Sequence, residues 1–272
     1  MNRIAAALIV ARQTIPVTEA RLLLRHLLGC SPAWLEAHRD DALAAEPAAS
    51  FAELAARRTQ GEPIAYLTGT REFYGRDFAV TPAVLIPRPE TELLVDLGRT
   101  AVTGIAAPRI LDLGTGSGCV AVTLALALPT ADVWAVDVSP AALAVAQGNA
   151  DALGARVWFM QSDWFGGLRE AHFHLIVANP PYVAAGDPHL DEGDLRFEPP
   201  LALACGPDGL TALRHIVATA PQYLAPGGRL YFEHGYDQAE AVAALLLGAG
   251  YTHIEQHRDL AGIVRVSGGC AA

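Results

Sequence analysis

The sequence predicts an α/β protein: a largely parallel sheet with helices on both faces, preceded by a small helical bundle. Three observations carry that expectation. From Glu90 onward, apolar strand candidates alternate with helical stretches, as in a parallel sheet built by helical crossovers. Near the carboxyl end, 252–256 and 262–266 are joined too briefly for a crossover helix, so the final strand should run antiparallel to its neighbour. The first sixty residues, in contrast, read as a run of short helices.

In chain order, a first helix takes the apolar stretch after Arg3. That stretch is short and broken by Arg12, which argues against a signal peptide. No segment has the apolar length to cross a bilayer, so no membrane role is expected. Thr18 is placed to cap a helix over 19–28, with Gly29 just past its end. Ser31 before Pro32 starts the next helix, and Ser50 a third that Gly61 stops. Leu22, Leu23, His26 and Leu27 share one helix face, so these helices should pack as a bundle, with His26 at its core edge. Strands over 71–74 and 77–80 flank Gly75-Arg76 as a hairpin. The expected division is a helical domain over 1–70, a hairpin and linker over 71–89, and the sheet domain over 90–272. Strand candidates there are 110–113, 133–136, 157–160, 175–178 and 230–232, with helices such as 140–153 and 210–223 between them.

Composition removes several chemistries. All nineteen basic residues are arginine, which excludes a Schiff-base lysine, a phosphate-loop lysine and a lysine general base. Against 29 acidic residues they leave a net charge of −10, unlike a protein that coats nucleic acid through bulk charge. Cys30, Cys119, Cys205 and Cys270 form no paired spacing, so neither a zinc site nor a disulfide framework is expected, and a reducing cytoplasm fits. The nine histidines form no nucleophile constellation, which leaves a hydrolase without support.

Chemistry is concentrated at the ends of the strand candidates. Residues 110–118, Ile-Leu-Asp-Leu-Gly-Thr-Gly-Ser-Gly, run from a strand through glycines towards a helix, where a backbone can turn tightly and approach a ligand. The third glycine is Gly118, and Cys119 stands where the dehydrogenase fingerprint has one, so the spacing departs from a dinucleotide loop. The next strand ends in Asp137, whose carboxylate can accept both hydroxyls of a ribose. A tight turn and a capping aspartate in an ordinary α/β protein would use the same residues; their order on consecutive strands favours a nucleoside. After the third strand, Asp163 can accept from an adenine amine and Trp164 can lie against the ring, or simply pack beneath the loop.

The fourth strand ends in Asn179-Pro180-Pro181-Tyr182, the most specific feature of the chain. The Asn179 side-chain oxygen and the Pro180 carbonyl can accept both hydrogens of one planar NH2 group. Tyr182 offers an aromatic face to the group that carries it. A rigid turn after a buried strand is the plain alternative. Arg88 and Glu90 are candidates for contact with substrate, or for a surface ion pair.

Together, residues 112–118, Asp137 and the Asn-Pro-Pro-Tyr tetrad resemble the S-adenosylmethionine-dependent amino methyltransferases. Residues 61–69, Gly-Glu-Pro-Ile-Ala-Tyr-Leu-Thr-Gly, and 85–92, Leu-Ile-Pro-Arg-Pro-Glu-Thr-Glu, make the chain similar to the peptide chain release factor glutamine methyltransferases over nearly its whole length. His174 departs from the acidic residue many relatives carry there. The resemblance implies a seven-stranded Rossmann-like class I methyltransferase sheet, last strand antiparallel, behind a helical substrate-docking domain; a cytoplasmic monomer is expected, although the sequence does not fix the oligomeric state. It implies that Gly114, Thr115, Gly116, Ser117 and Gly118 line S-adenosyl-L-methionine, leaving S-adenosyl-L-homocysteine as product. Asp137 would hold the ribose, with Asp163 and Trp164 at the adenine and Asn179 reaching the cofactor as well as the substrate. Residues 179–182 would bind the glutamine of a Gly-Gly-Gln tripeptide, with Asn179 and Pro180 acting on its amide nitrogen and no metal involved. Two other readings remain: methylation of adenine N6 or guanine N2 in nucleic acid, which the charge disfavours, and a non-enzymatic nucleoside-binding module, which would need no NH2 clamp.

Overall fold

The computed structural model describes residues 3–169 and 172–271. The chain divides into two compact units, one of residues 1–70 with 193–197, the other of 71–192 with 198–272.

Among the described residues, the α-helices of the first unit are α1 (Ile4–Ala11), α2 (Val17–Leu28), α3 (Pro32–Ala37), α4 (Ala45–Thr59) and α5 (Ile64–Thr68). They close on a core that includes Ile4, Leu23, Leu24, Leu35, Phe51 and Leu67. Ser31 caps α3 by accepting from Trp34 N at 3.1 Å, and Gly29 ends α2 in the left-handed region. Two of the expected caps are corrected. Helix α2 begins at Val17 behind Pro16, so Thr18 lies inside its first turn. Ser50 lies inside α4, which starts at Ala45; Pro47 is tolerated there because first-turn N–H groups have no intrahelical partner. Arg58 of α4 binds Glu19 at 2.7 and 2.9 Å and Asp194 at 2.8 Å, while Arg196 donates to the Gln60 carbonyl. These bonds hold 193–197 within the helical unit.

The second unit opens with the hairpin β1 (Thr70–Phe73) and β2 (Arg76–Ala79). Its turn is Tyr74-Gly75, one residue before the expected pair, and both residues have positive φ, 53° and 74°. That is the twist a two-residue hairpin requires. There follow α6 (Glu92–Ala101), β3 (Arg109–Leu113), α7 (Cys119–Ala127), β4 (Asp132–Asp137), α8 (Pro140–Leu153), β5 (Trp158–Gln161) and β6 (Phe173–Ala178). The unit ends with α9 (Thr211–Thr219), β7 (Leu224–Glu233), α10 (Ala239–Gly248), β8 (Thr252–Arg258) and β9 (Val264–Cys270).

Strands β3 to β9 form one sheet in the order β5-β4-β3-β6-β7-β9-β8. Strands β5 through β7 pair in parallel, and β9 runs antiparallel between β7 and β8, as the short final connection required. Residues alternate between two cores: Ile110, Leu175 and Val177 pack with α6 and α7 residues, while Leu111, Leu113, Ile176 and Phe232 pack with α9 and α10 residues. Both faces are covered, which is why the central strands read as continuous apolar runs. His174 sits on β6 with its Nδ1 accepting from Arg109 N at 2.9 Å, so it serves strand pairing. The chain leaves β3 towards β4 and β5, then returns to β6 on the other side of β3. That reversal opens a crevice at the carboxyl ends of β3 and β6, where ligands bind in such sheets.

Candidate active site

A cavity of about 620 Å³ occupies that crevice, wholly within the sheet unit. Glycines 114, 116 and 118 all have positive φ, which lets the turn after β3 fold under it. Gly114 and Thr115 donate backbone hydrogen bonds to the Val136 carbonyl at 2.9 and 3.0 Å, fastening the turn to the end of β4. Gly116 faces open space, whereas a Cβ on Gly118 would lie 3.0 Å from Ala146 Cβ; Gly118 is therefore a packing glycine beneath α8. Asn149 of α8 holds the same turn from behind, donating to the Ser117 carbonyl at 2.9 Å.

Asp137 is half-buried at the end of β4. Its two carboxylate oxygens accept from Gly116 N and Ser139 N, each at 2.9 Å, and each keeps a lone pair for a further donor. Beyond β5, Ser162 braces the next loop, donating to the Trp164 carbonyl and accepting from Gly167 N, both at 2.8 Å. Trp164 takes a positive φ of 48°, and its ring lies 3.5 Å from where a Cβ on Gly114 would stand. Asp163 and Trp164 both line the cavity.

Asn179, Pro180 and Pro181 line it from the end of β6. The Asn179 side-chain nitrogen donates to Thr91 Oγ1 at 3.1 Å, which leaves its carbonyl oxygen as an acceptor. Thr91 in turn donates to Glu233 Oε2 at 2.7 Å, and the Tyr182 hydroxyl to Glu233 Oε1 at 3.0 Å. Burial raises the Glu233 carboxyl above its ordinary value, and the Thr91 and Tyr182 hydrogen bonds oppose that shift. Burial and the adjacent Glu233 push the Tyr182 phenol up.

Of the residues expected at the site, Arg88, Gly114, Thr115, Gly116, Ser117, Asp137, Asp163, Trp164, Asn179, Pro180 and Pro181 converge on the cavity. Gly118, Tyr182 and Glu90 do not line it. Arg88 is no surface ion pair: its partner Glu198 is fully buried and also accepts from Ile86 N at 3.0 Å. Sequence reasoning missed Asp112, Thr91, Glu198 and Glu233. Asp112 lines the cavity, is buried, and accepts from Thr115 Oγ1 at 2.7 Å; burial pushes its carboxyl up to about 7. A signal existed for two of them, since Asp112 and Glu233 are acids inside or ending apolar strands, where a charge is costly without a purpose. The segment 199–205, which contributes Pro199, Leu201, Ala202, Ala204 and Cys205 to the cavity wall, carried no such signal.

The glycine turn after β3 and the acid ending β4, at the edge of a sheet in this order, define a class I S-adenosylmethionine-dependent methyltransferase. The residues fit that cofactor: an open glycine, a ribose-sized acceptor pair and an aromatic wall share one cavity. Within that class, residues 1–69 match the family model described as the PrmC N-terminal domain, and residues 90–192 the methyltransferase small domain. Over 262 residues the chain is 54% identical to the release factor glutamine methyltransferase of Bordetella pertussis, covering 96% of this chain and 97% of that one. It is 42% identical to the Escherichia coli protein of the same description, covering 93% and 91%. The chain belongs to the release factor glutamine methyltransferase family. A methyltransferase from Pyrococcus furiosus shares the fold at a TM-score of 0.54 and 17% identity, covering 81% of this chain and 99% of that one.

Proposed function

We propose that this protein transfers a methyl group from S-adenosyl-L-methionine to the side-chain amide nitrogen of the glutamine in the Gly-Gly-Gln motif of peptide chain release factors. The observation that carries this reading is the Asn179–Pro180 edge of the cavity, where a side-chain oxygen with its amide nitrogen tied back stands next to a proline carbonyl. An amide NH2 is a poor nucleophile because its lone pair is delocalised into its own carbonyl. Two acceptors for its two hydrogens favour a pyramidal nitrogen and aim the lone pair into the cavity. When bound, the cofactor supplies a methyl on a sulfonium sulfur, already a strong electrophile. The residues therefore have mainly to align, and alignment alone is worth roughly 7–11 kcal/mol. Asp137 takes the ribose, Trp164 and Asp163 border the adenine, and the glycine turn lets the backbone approach. The nitrogen, cationic after transfer, gives its proton to water.

In this reading the helical unit docks the release factor, and the enzyme works as a monomer in the cytoplasm. No helix among the described residues is long and apolar enough to cross a membrane. The test is transfer of labelled methyl to purified release factor, with tRNA, rRNA and DNA in parallel. Labelling of a release factor lost on replacing its Gly-Gly-Gln glutamine is the expected result; labelling of nucleic acid alone would overturn the proposal.

A further inference from the structure

An asparagine clamp has a weakness that a carboxylate clamp lacks. The two ends of the amide have nearly the same shape but opposite polarity. With the oxygen towards the substrate, Asn179 accepts a hydrogen of the reacting NH2. Rotated by half a turn, it presents its own NH2 and repels it. Pro180 cannot set the orientation, because its carbonyl belongs to the backbone.

The buried chain behind Asn179 has a single polarity. Glu233, at the end of β7, is 2% exposed, and its two oxygens take hydroxyls from different directions, Thr91 at 2.7 Å and Tyr182 at 3.0 Å. Each Glu233 oxygen thus accepts a hydroxyl, so the one hydroxyl hydrogen of Thr91 is committed to Glu233. Thr91, also 2% exposed, then has only lone pairs to offer Asn179, 3.1 Å away. Only the NH2 end of the amide satisfies them. We propose that Thr91 and Glu233 are positioning residues that fix which end of the Asn179 amide faces the reacting nitrogen.

This rests on the proposed amide transfer for its consequence but not for its geometry. Thr91 lies in the turn Pro89–Thr91 just before α6, 88 residues from Asn179, and Glu233 lies 142 residues from Thr91. The Asn-Pro-Pro-Tyr tetrad is thus incomplete as a unit of chemistry. Its asparagine needs a hydroxyl on one side and a carboxylate behind that hydroxyl.

The test has two independent arms. In the first, single-turnover transfer to release factor at saturating cofactor is compared across Thr91→Val, Thr91→Ser and Glu233→Gln. Thr91→Val keeps the shape and removes the hydroxyl, and transfer should slow by about tenfold or more while cofactor affinity stays within about threefold. Thr91→Ser should recover to within about threefold of the unaltered enzyme. Glu233→Gln, whose amide can donate to Thr91 and free its hydrogen to point at Asn179, should slow transfer with the fold retained. The double variant Asn179→Ala/Thr91→Val should be no slower than Asn179→Ala alone, since Thr91 acts through Asn179. Rates that multiply in the double variant, or normal transfer by Thr91→Val, overturn the inference.

The second arm needs no substrate. In 15N-labelled, cofactor-bound enzyme the Asn179 side-chain NH2 resonances are assigned by their loss in Asn179→Ala. They should exchange slowly in the unaltered enzyme and in Thr91→Ser, and at least tenfold faster in Thr91→Val. Equal exchange in all three overturns the inference, even if release factor proves not to be the substrate.

Discussion

The two sides of the cavity are held in different ways. On the cofactor side, support is local: glycines of positive φ, backbone N–H groups on Asp137, and a serine bracing the loop that carries Trp164. On the amide side, Asn179 and Pro180 are adjacent in sequence, but Asn179 is held by Thr91 and, behind it, Glu233, both far away along the chain. A nucleoside can be held by short-range geometry that many sheets provide. Orienting one amide against another takes buried polar groups from several elements, each of which has to be satisfied.

The largest effect that can separate the two sides is expected at Asn179. In the proposed clamp, Asn179→Ala removes one of two acceptors at the reacting nitrogen, an interaction that matters most in the transition state. Loss of a preorganised contact of this kind is worth roughly 2.7–4 kcal/mol, so single-turnover transfer should fall about 10²–10³-fold. Calorimetry on the same preparation should find cofactor affinity within a few-fold of normal. Near-normal transfer would remove the clamp from the mechanism.

The mirror experiment is Asp137→Ala. The charge-assisted hydrogen bonds to a ribose are worth roughly 1.5–3 kcal/mol, so cofactor affinity should weaken by about tenfold to about a hundredfold. At saturating cofactor the rate should largely recover, which Asn179→Ala cannot do. If both variants lose rate and affinity together, the two sides do not work as separate devices.

The same contrast governs what the sequence reveals. Sheet, crossovers and antiparallel final strand were legible because each follows from apolar runs and connection lengths. So were the loops at 114–118, 137, 163–164 and 179–181, because a strand end followed by glycine, acid or Asn-Pro is a local pattern. Thr18 and Ser50 misled because capping chemistry occurs inside helices too, and Pro16 and the Ala45 turn set the true starts. Thr91 and Glu233 were illegible as a pair, since nothing in one dimension says that residues 142 apart share a proton.

A smaller effect sharpens the cofactor side itself. Gly116 and Gly118 both have positive φ, so alanine at either costs about 1–2 kcal/mol of stability in the left-handed region. Gly118→Ala should cost more, because its Cβ meets Ala146 at 3.0 Å, yet it should bind cofactor normally once folded. Gly116→Ala should melt closer to the unaltered protein but bind cofactor poorly, because a methyl on this cavity-lining residue would enter open space that the proposed nucleoside site uses. Thermal melts with and without cofactor distinguish the two; equal ligand-induced shifts would mean that Gly116 does not face the nucleoside.

The smallest expected effect concerns Asp112, a buried acid inside the apolar strand β3. Burial raises its carboxyl from 3.8 to about 7, opposed by the hydrogen bond from Thr115 and increased slightly by Asp137. A raised carboxyl means that the folded protein prefers the neutral form. The stability this contributes is complete below pH 3.8 and is lost as pH rises through about 7. A cation in the cavity reverses the preference, because it favours the ionised form. The sulfonium cofactor should therefore bind best above pH 7 and lose up to about tenfold in affinity at pH 6, where it must displace a proton. The product has the same α-amine but a neutral sulfur, so it controls for titration of the ligand itself. The ratio of cofactor to product affinity should rise between pH 6 and pH 8 in the unaltered enzyme. In Asp112→Asn, which keeps an acceptor for Thr115 but cannot ionise, that ratio should be flat. A ratio that rises equally in both would place the responsible charge on another residue and leave Asp112 as a purely structural partner of Thr115.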